Sequence, residues 1–124
     1  GNIKKYFKVD IVGKWDGSTL ILEENFFYND GTKEFRKWTI KKDKAKSNFY
    51  SGYADGVVGL AEGSTNGNAF NWKYKFNLKI GNKTVKVDFD DWMFLQEKNY
   101  LINIAKVKKF GITLGKVILF FEKE

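Results

Sequence analysis

Cysteine and histidine are both absent from the chain, and these two absences exclude more chemistry than any motif supplies. Without cysteine there are no disulfides, thiolate metal sites or cysteine nucleophiles; without histidine there is no imidazole acid, base or metal ligand. Serine triads go with them, because Ser18, Ser47, Ser51 and Ser64 have no histidine to activate them and no motif supports a Ser-Lys pair. Metal binding would rest on carboxylate and carbonyl oxygens alone, and no acidic loop with EF-hand spacing occurs. No catalytic residue, metal site or cofactor is therefore assigned.

Proline is also missing, and arginine occurs once, as Arg36, among 22 basic residues. Readers of phosphates and base edges depend on arginine forks, so the net charge of +7 reads as a lysine-rich surface and no nucleic-acid partner is expected. No apolar run approaches the roughly 20 residues of a membrane-spanning helix. The opening Gly1-Asn2 has neither methionine nor a signal-type apolar stretch, so a natural start is expected upstream.

What is present is a chain of 124 residues, 43% hydrophobic and 18% aromatic, with no linker and no repeat. That is enough for one core, and a single domain over 1–124 is expected. Alternation with a period of two dominates. Phe70, Trp72, Tyr74, Phe76, Leu78 and Ile80 interleave with Asn71, Lys73, Lys75, Asn77 and Lys79, which gives a strand one apolar and one wet face. The same pattern predicts strands near 5–14, 18–28, 32–42, 48–54, 56–62, 69–80, 83–95, 99–108 and 113–123.

The punctuation between them is turn-sized: Trp15 to Ser18, Asn29-Asp30-Gly31, Lys44 to Ser47, Gly63 to Gly67, Gly81 to Lys83, Gln96 to Lys98 and Phe110-Gly111. Links that short cannot carry parallel crossovers. The expected fold is all-β, an antiparallel up-and-down meander closing into a lipocalin-like barrel, which holds either packed side chains or one small ligand. Gly52, Gly56, Gly59, Gly63 and Gly67 cluster where a bulge or sharp corner is expected.

Parity then places charge among the apolar side chains. Glu24 shares a strand face with Leu20, Leu22, Phe26 and Tyr28, and Arg36 shares one with Trp38 and Ile40. A three-residue loop at Asn29-Asp30-Gly31, with Gly31 left-handed, sets Glu24 opposite Arg36; a five-residue loop makes them diagonal neighbours. An enclosed pair of this kind serves either as a structural ion pair or as a ligand site in which Arg36 meets an anion. Asp91 falls on the side of Val85, Val87, Phe89 and Met93, whereas Asp88 and Asp90 face away. Trp15, Tyr50, Tyr53, Phe94 and Tyr100 are aromatics whose side the pattern does not assign.

Motifs across most of the chain carry a resemblance. They are Leu22-x-Glu24-x-Phe26-x-Tyr28-x-Asp30-Gly31, Arg36-x-Trp38, Ala54-Asp55, Val57-Val58-Gly59-x-Ala61-x-Gly63 and Gly67-Asn68-Ala69-x-x-Trp72-x-Tyr74. Asp90-Asp91-Trp92-Met93, Asn103-x-Ala105, Lys109-Phe110-Gly111 and Phe120 follow, and Gly13-x-Trp15 is similar to the lipocalin signature. In these the chain resembles an uncharacterised bacterial lipoprotein family known as DUF3833, a domain of unknown function regarded as lipocalin-like. It departs from that pattern at Gly56, where an acidic residue is expected, and at Ile104, where arginine is expected. The resemblance implies an exported, lipid-anchored protein on the periplasmic face of a bacterial membrane, with its signal and anchoring cysteine upstream. It implies no known activity.

The function expected from all this is non-catalytic binding of a small apolar or acyl, lipid-like ligand inside the barrel. Glu24, Phe26, Tyr28, Arg36, Trp38, Trp72, Tyr74, Phe76 and Asp91 form the candidate site, with Arg36 at the ligand's anionic end. A monomer is expected. The alternative is a packed-barrel scaffold that offers its lysine-rich outside, Lys73, Lys75 and Lys79 among it, to an anionic membrane or partner. An enzyme would need Glu24, Asp90 or Asp91 as acid or base, in a convergent pair with a carboxyl pKa raised by burial.

Overall fold

The computed structural model describes residues 7–96 and 100–122. Nine strands follow one another: β1 (Phe7–Trp15), β2 (Thr19–Tyr28), β3 (Lys33–Lys42), β4 (Phe49–Tyr53), β5 (Val57–Asn66), β6 (Ala69–Ile80), β7 (Lys83–Leu95), β8 (Tyr100–Lys109) and β9 (Ile112–Glu122). Each pairs antiparallel with its neighbours in sequence, in the order β1 to β9. The all-antiparallel meander expected from the alternation is the fold, and its nine strands curl into a half-barrel. Among the described residues no ladder joins β9 to β1. Both edge strands turn apolar side chains to the cavity, Phe7, Ile11 and Trp15 from β1 and Val117, Leu119 and Phe121 from β9. The strand starts expected at 5 and 99, the end at 123, and most of the Gln96 to Lys98 turn lie outside the described residues.

Turn chemistry sets the registers. At the β2–β3 hairpin Gly31 has φ +88°, Tyr28 N–H donates to the Thr32 carbonyl (2.9 Å) and Gly31 N–H to the Tyr28 carbonyl (3.1 Å). The loop is therefore the three-residue form, with the glycine in the left-handed position that a side chain resists. Asp30 reinforces it by accepting from Thr32 N–H and Oγ1 at 2.9 and 2.6 Å. The resulting register sets Glu24 opposite Arg36, Phe26 opposite Glu34 and Leu22 opposite Trp38. In the β8–β9 turn Phe110 (φ +52°) and Gly111 (φ +75°) both take the positive torsions of a type I′ hairpin.

Most boundaries lie within one residue of the sequence expectation, and two residues or segments expected in turns lie in strands. Trp15, expected in a turn, ends β1, and β5 runs through Gly63 to Asn66 where a turn was expected. Gly63 is there for a close approach: a Cβ on it would meet the Asn71 carbonyl oxygen and lie 2.7 Å from the Trp72 ring. The bulge expected in this region falls between Val58 and Glu62, around Gly59.

The core is drawn from β3, the turn before β5, β5 and β6: Trp38, Ile40, Ala54, Val57, Ala61, Trp72 and Tyr74 are buried together. Trp38 meets Trp72 edge-on at 5.7 Å and Tyr74 at 5.0 Å, and Phe89 stacks on Tyr74 at 5.1 Å. Offset and edge-to-face rings of this kind add to what burial alone supplies. Towards β1 and β9 the interior is not filled.

Candidate functional site

The inner face of the half-barrel surrounds a cavity of about 1290 Å³. Its walls are mainly apolar, drawn from inward side chains such as Leu20 and Leu22 of β2, Phe70 of β6, Met93 of β7 and Leu119 of β9. Period-two alternation delivers this directly, since each strand turns every second residue inward. The volume exceeds the ~300–1,000 Å³ typical of small-molecule sites.

Of the candidate residues, Glu24, Phe26, Tyr28, Arg36, Trp38, Trp72, Tyr74 and Asp91 line this cavity. Phe76 lies behind Arg36, its ring 4.7 Å from the guanidinium carbon, and is not part of the wall. The Phe26 ring stands 5.7 Å from the same carbon. Arg36 is half-buried between two aromatic faces, a setting that suits its flat and weakly hydrated head. Although Glu24 is its cross-strand partner, the two form no salt bridge: among the described residues the ion pairs are Lys8–Asp10, Lys75–Asp88 and Lys108–Asp90.

Two carboxylates face the same space. Asp91 is 8% exposed; its Oδ2 accepts from the Tyr74 hydroxyl at 3.1 Å, while its Oδ1 has no hydrogen-bond partner. Burial pushes its carboxyl up from 3.8 to about 6, against the lowering effect of Tyr74, Asn103 and the Arg36 charge. Glu24 Oε1 is likewise buried without a partner. Burial raises the Glu24 carboxyl, the nearby Asp91 charge adds to that, and Arg36 and the Trp38 side chain pull it down. Tyr74 is pushed well above its ordinary value, chiefly by burial and then by the Asp91 charge. Glu24, Arg36, Tyr74 and Asp91 thus form one electrostatic cluster drawn from β2, β3, β6 and β7.

The remaining predicted residues fall on both sides. Asp88 and Asp90 point out, as parity requires, and pair with Lys75 (3.3 Å) and Lys108 (3.6 Å); Asn71 Nδ2 donates to Asp90 Oδ1 at 2.8 Å. Tyr50 and Trp15 border the cavity, whereas Phe94 stacks on Trp92, with ring centroids 5.9 Å apart, away from it. Asn103 was absent from the candidate set. It is buried in the cavity wall, and its Nδ2 donates to the Trp92 carbonyl at 3.1 Å. Its parity with Leu101, Ala105 and Val107 was the available signal. Among the described residues no group of three or more acidic side chains could hold a metal ion.

Fold and site together define a class: an all-antiparallel β half-barrel around an apolar cavity with a small charged cluster in its wall. Within that class the chain belongs to the family described as Protein of unknown function (DUF3833), whose family model matches residues 1–123. No curated protein and no solved structure matches the chain.

Proposed function

We propose that the protein is a lipocalin-like, non-catalytic carrier or sensor of a single small apolar or acyl ligand, whose anionic end meets Arg36. One observation carries the reading: an apolar cavity of about 1290 Å³ with an arginine in its wall that has no ion-pair partner among the described residues. An apolar chain gains about 25 cal/mol for each Å² it withdraws from water, and a guanidinium supplies the planar fork that a carboxylate or phosphate needs. The scaffold alternative has less behind it, because the interior is not a packed core and Lys75 is already matched by Asp88. An exported lipoprotein setting rests on the motif resemblance and fits a carrier working beside a membrane.

Displacement of a fluorescent fatty acid by unlabelled acyl ligands tests this. Saturable one-to-one displacement is expected, and Arg36→Met is expected to weaken it about tenfold, the loss of one charge-assisted contact. Absence of binding across fatty acids, lysophospholipids and monoglycerides overturns the reading.

Acid–base chemistry is the second reading, and one observation favours it: Glu24 and Asp91 share the cavity and both titrate above their ordinary values. It stands second because the mainly apolar wall and the ring-flanked Arg36 suit a held ligand better than a transferred proton. A bound acyl ester recovered unchanged after long incubation at pH 5 to 7 sets it aside.

A further inference from the structure

The charged cluster in the cavity wall specifies more about a ligand head than an anion does. Its donors and acceptors do not balance. On the donor side, Arg36 has ring faces at 4.7 and 5.7 Å and, among the described residues, no carboxylate within salt-bridge distance of its in-plane N–H groups. On the acceptor side, Glu24 Oε1 and Asp91 Oδ1 are both buried and both lack a donor. The neighbouring donors do not satisfy these two atoms: the Tyr74 hydroxyl gives its proton to Asp91 Oδ2, Asn103 Nδ2 donates to the Trp92 carbonyl, and the Trp38 side chain, which lowers the Glu24 carboxyl, makes no hydrogen bond to Oε1. Buried acceptors without donors are costly and normally mark a missing partner.

A plain fatty acid meets only half of this demand. Its carboxylate would satisfy Arg36 but would add a third negative charge beside Glu24 and Asp91 and leave both orphaned oxygens as they are. The two poles are within reach of a single head group. Glu24 and Arg36 are directly opposed across β2 and β3. Asp91 is tied to the same wall through Tyr74, whose ring lies 5.0 Å from Trp38, two residues beyond Arg36 on the same face. Arg36 acts electrostatically on both carboxylates.

Resting on the carrier reading above, we infer that the ligand is a single-chain lipid with a zwitterionic head: an anion for Arg36 and an ammonium whose N–H groups reach Glu24 and Asp91. An ammonium is preferred to hydroxyls because it both donates and neutralises. It must keep its N–H groups, since a quaternary ammonium offers charge but no donor, and would be held by the Trp38 and Tyr74 rings alone. The anion is a phosphate or a carboxylate, which share the guanidinium's geometry.

The test is a panel of palmitoyl lipids that differ only in the head, titrated into the full chain and read by quenching of tryptophan fluorescence, since Trp38 and Trp72 line the cavity. The probes are palmitoyl lysophosphatidylethanolamine, Nα-palmitoyl lysine, palmitoyl lysophosphatidylcholine and palmitate. At least one of the two primary amines is expected to bind roughly tenfold or more tighter than both the choline lipid and palmitate. Which amine wins identifies the anion. Glu24→Gln and Asp91→Asn, each checked for native circular dichroism, are expected to erase that preference while keeping palmitate binding within about threefold. Neither primary amine binding tighter than the choline lipid, or palmitate as the best ligand, overturns the zwitterion and leaves the carrier reading standing. No binding by any of the four overturns both.

Discussion

Asp91 is the residue whose environment has the plainest thermodynamic consequence. Its carboxyl titrates near 6 in the folded chain against an ordinary value of 3.8, with burial as the main cause. Between those values the folded chain holds a proton that the unfolded chain has released, so stability falls as pH rises from about 4 to about 6 and stays lower above that. The shift corresponds to on the order of 3 kcal/mol, and Glu24 acts in the same direction. Urea unfolding at pH 5 and pH 8 checks it: the protein should be the less stable at pH 8, and Asp91→Asn should remove most of the difference. Equal stability of the unmutated protein at the two pH values contradicts the burial of a charged group there. Arg36 is expected to behave differently, because it has two ring contacts and no ion pair. Arg36→Met should cost about 1 kcal/mol or less in the same urea assay, while ligand affinity drops.

At the scale of the element, the β2–β3 hairpin and β5 teach opposite lessons. Asn29-Asp30-Gly31 is a turn whose chemistry dictates loop length, so one glycine fixes which residues oppose each other along two strands. The Glu24–Arg36 juxtaposition was legible for that reason. Gly63 was not, because a glycine inside a sequence pattern looks the same whether it bends the chain or makes room for a ring from another strand. Gly63→Ala should cost about 1–3 kcal/mol or more by forcing Trp72 and the β6 backbone away, measured as a lower urea midpoint with an unchanged slope. A midpoint within error of the parent contradicts the close approach. Strand parity also foretold that Asp91 faces in and Asp88 and Asp90 face out. Asn103 shares the parity of Leu101, Ala105 and Val107, which marks it as inward, but parity alone does not show that its amide bonds the Trp92 carbonyl beside Asp91.

For the whole molecule, alternation reveals which side chains share the interior and is silent on how far apart the walls stand. Periodicity therefore announced an antiparallel meander expected to close into a barrel, while the edges at β1 and β9, unpaired among the described residues, and the size of the cavity depended on long-range geometry that no local pattern encodes. Those edges have a dynamic consequence. A strand bonded on one side opens at lower free energy than one bonded on both, so amides of β1 and β9 should exchange with solvent faster than those of β6, whose neighbours flank it along most of its length. Uniform protection across the nine strands would indicate that β1 and β9 are joined.

The central claim is that the cavity of the half-barrel is for cargo, and native mass spectrometry of the full chain incubated with an equimolar mixture of single-chain lipids addresses it most directly. One lipid per protein is the predicted result, lost when Arg36 is replaced together with Glu24. A folded protein that emerges bare from every mixture contradicts it.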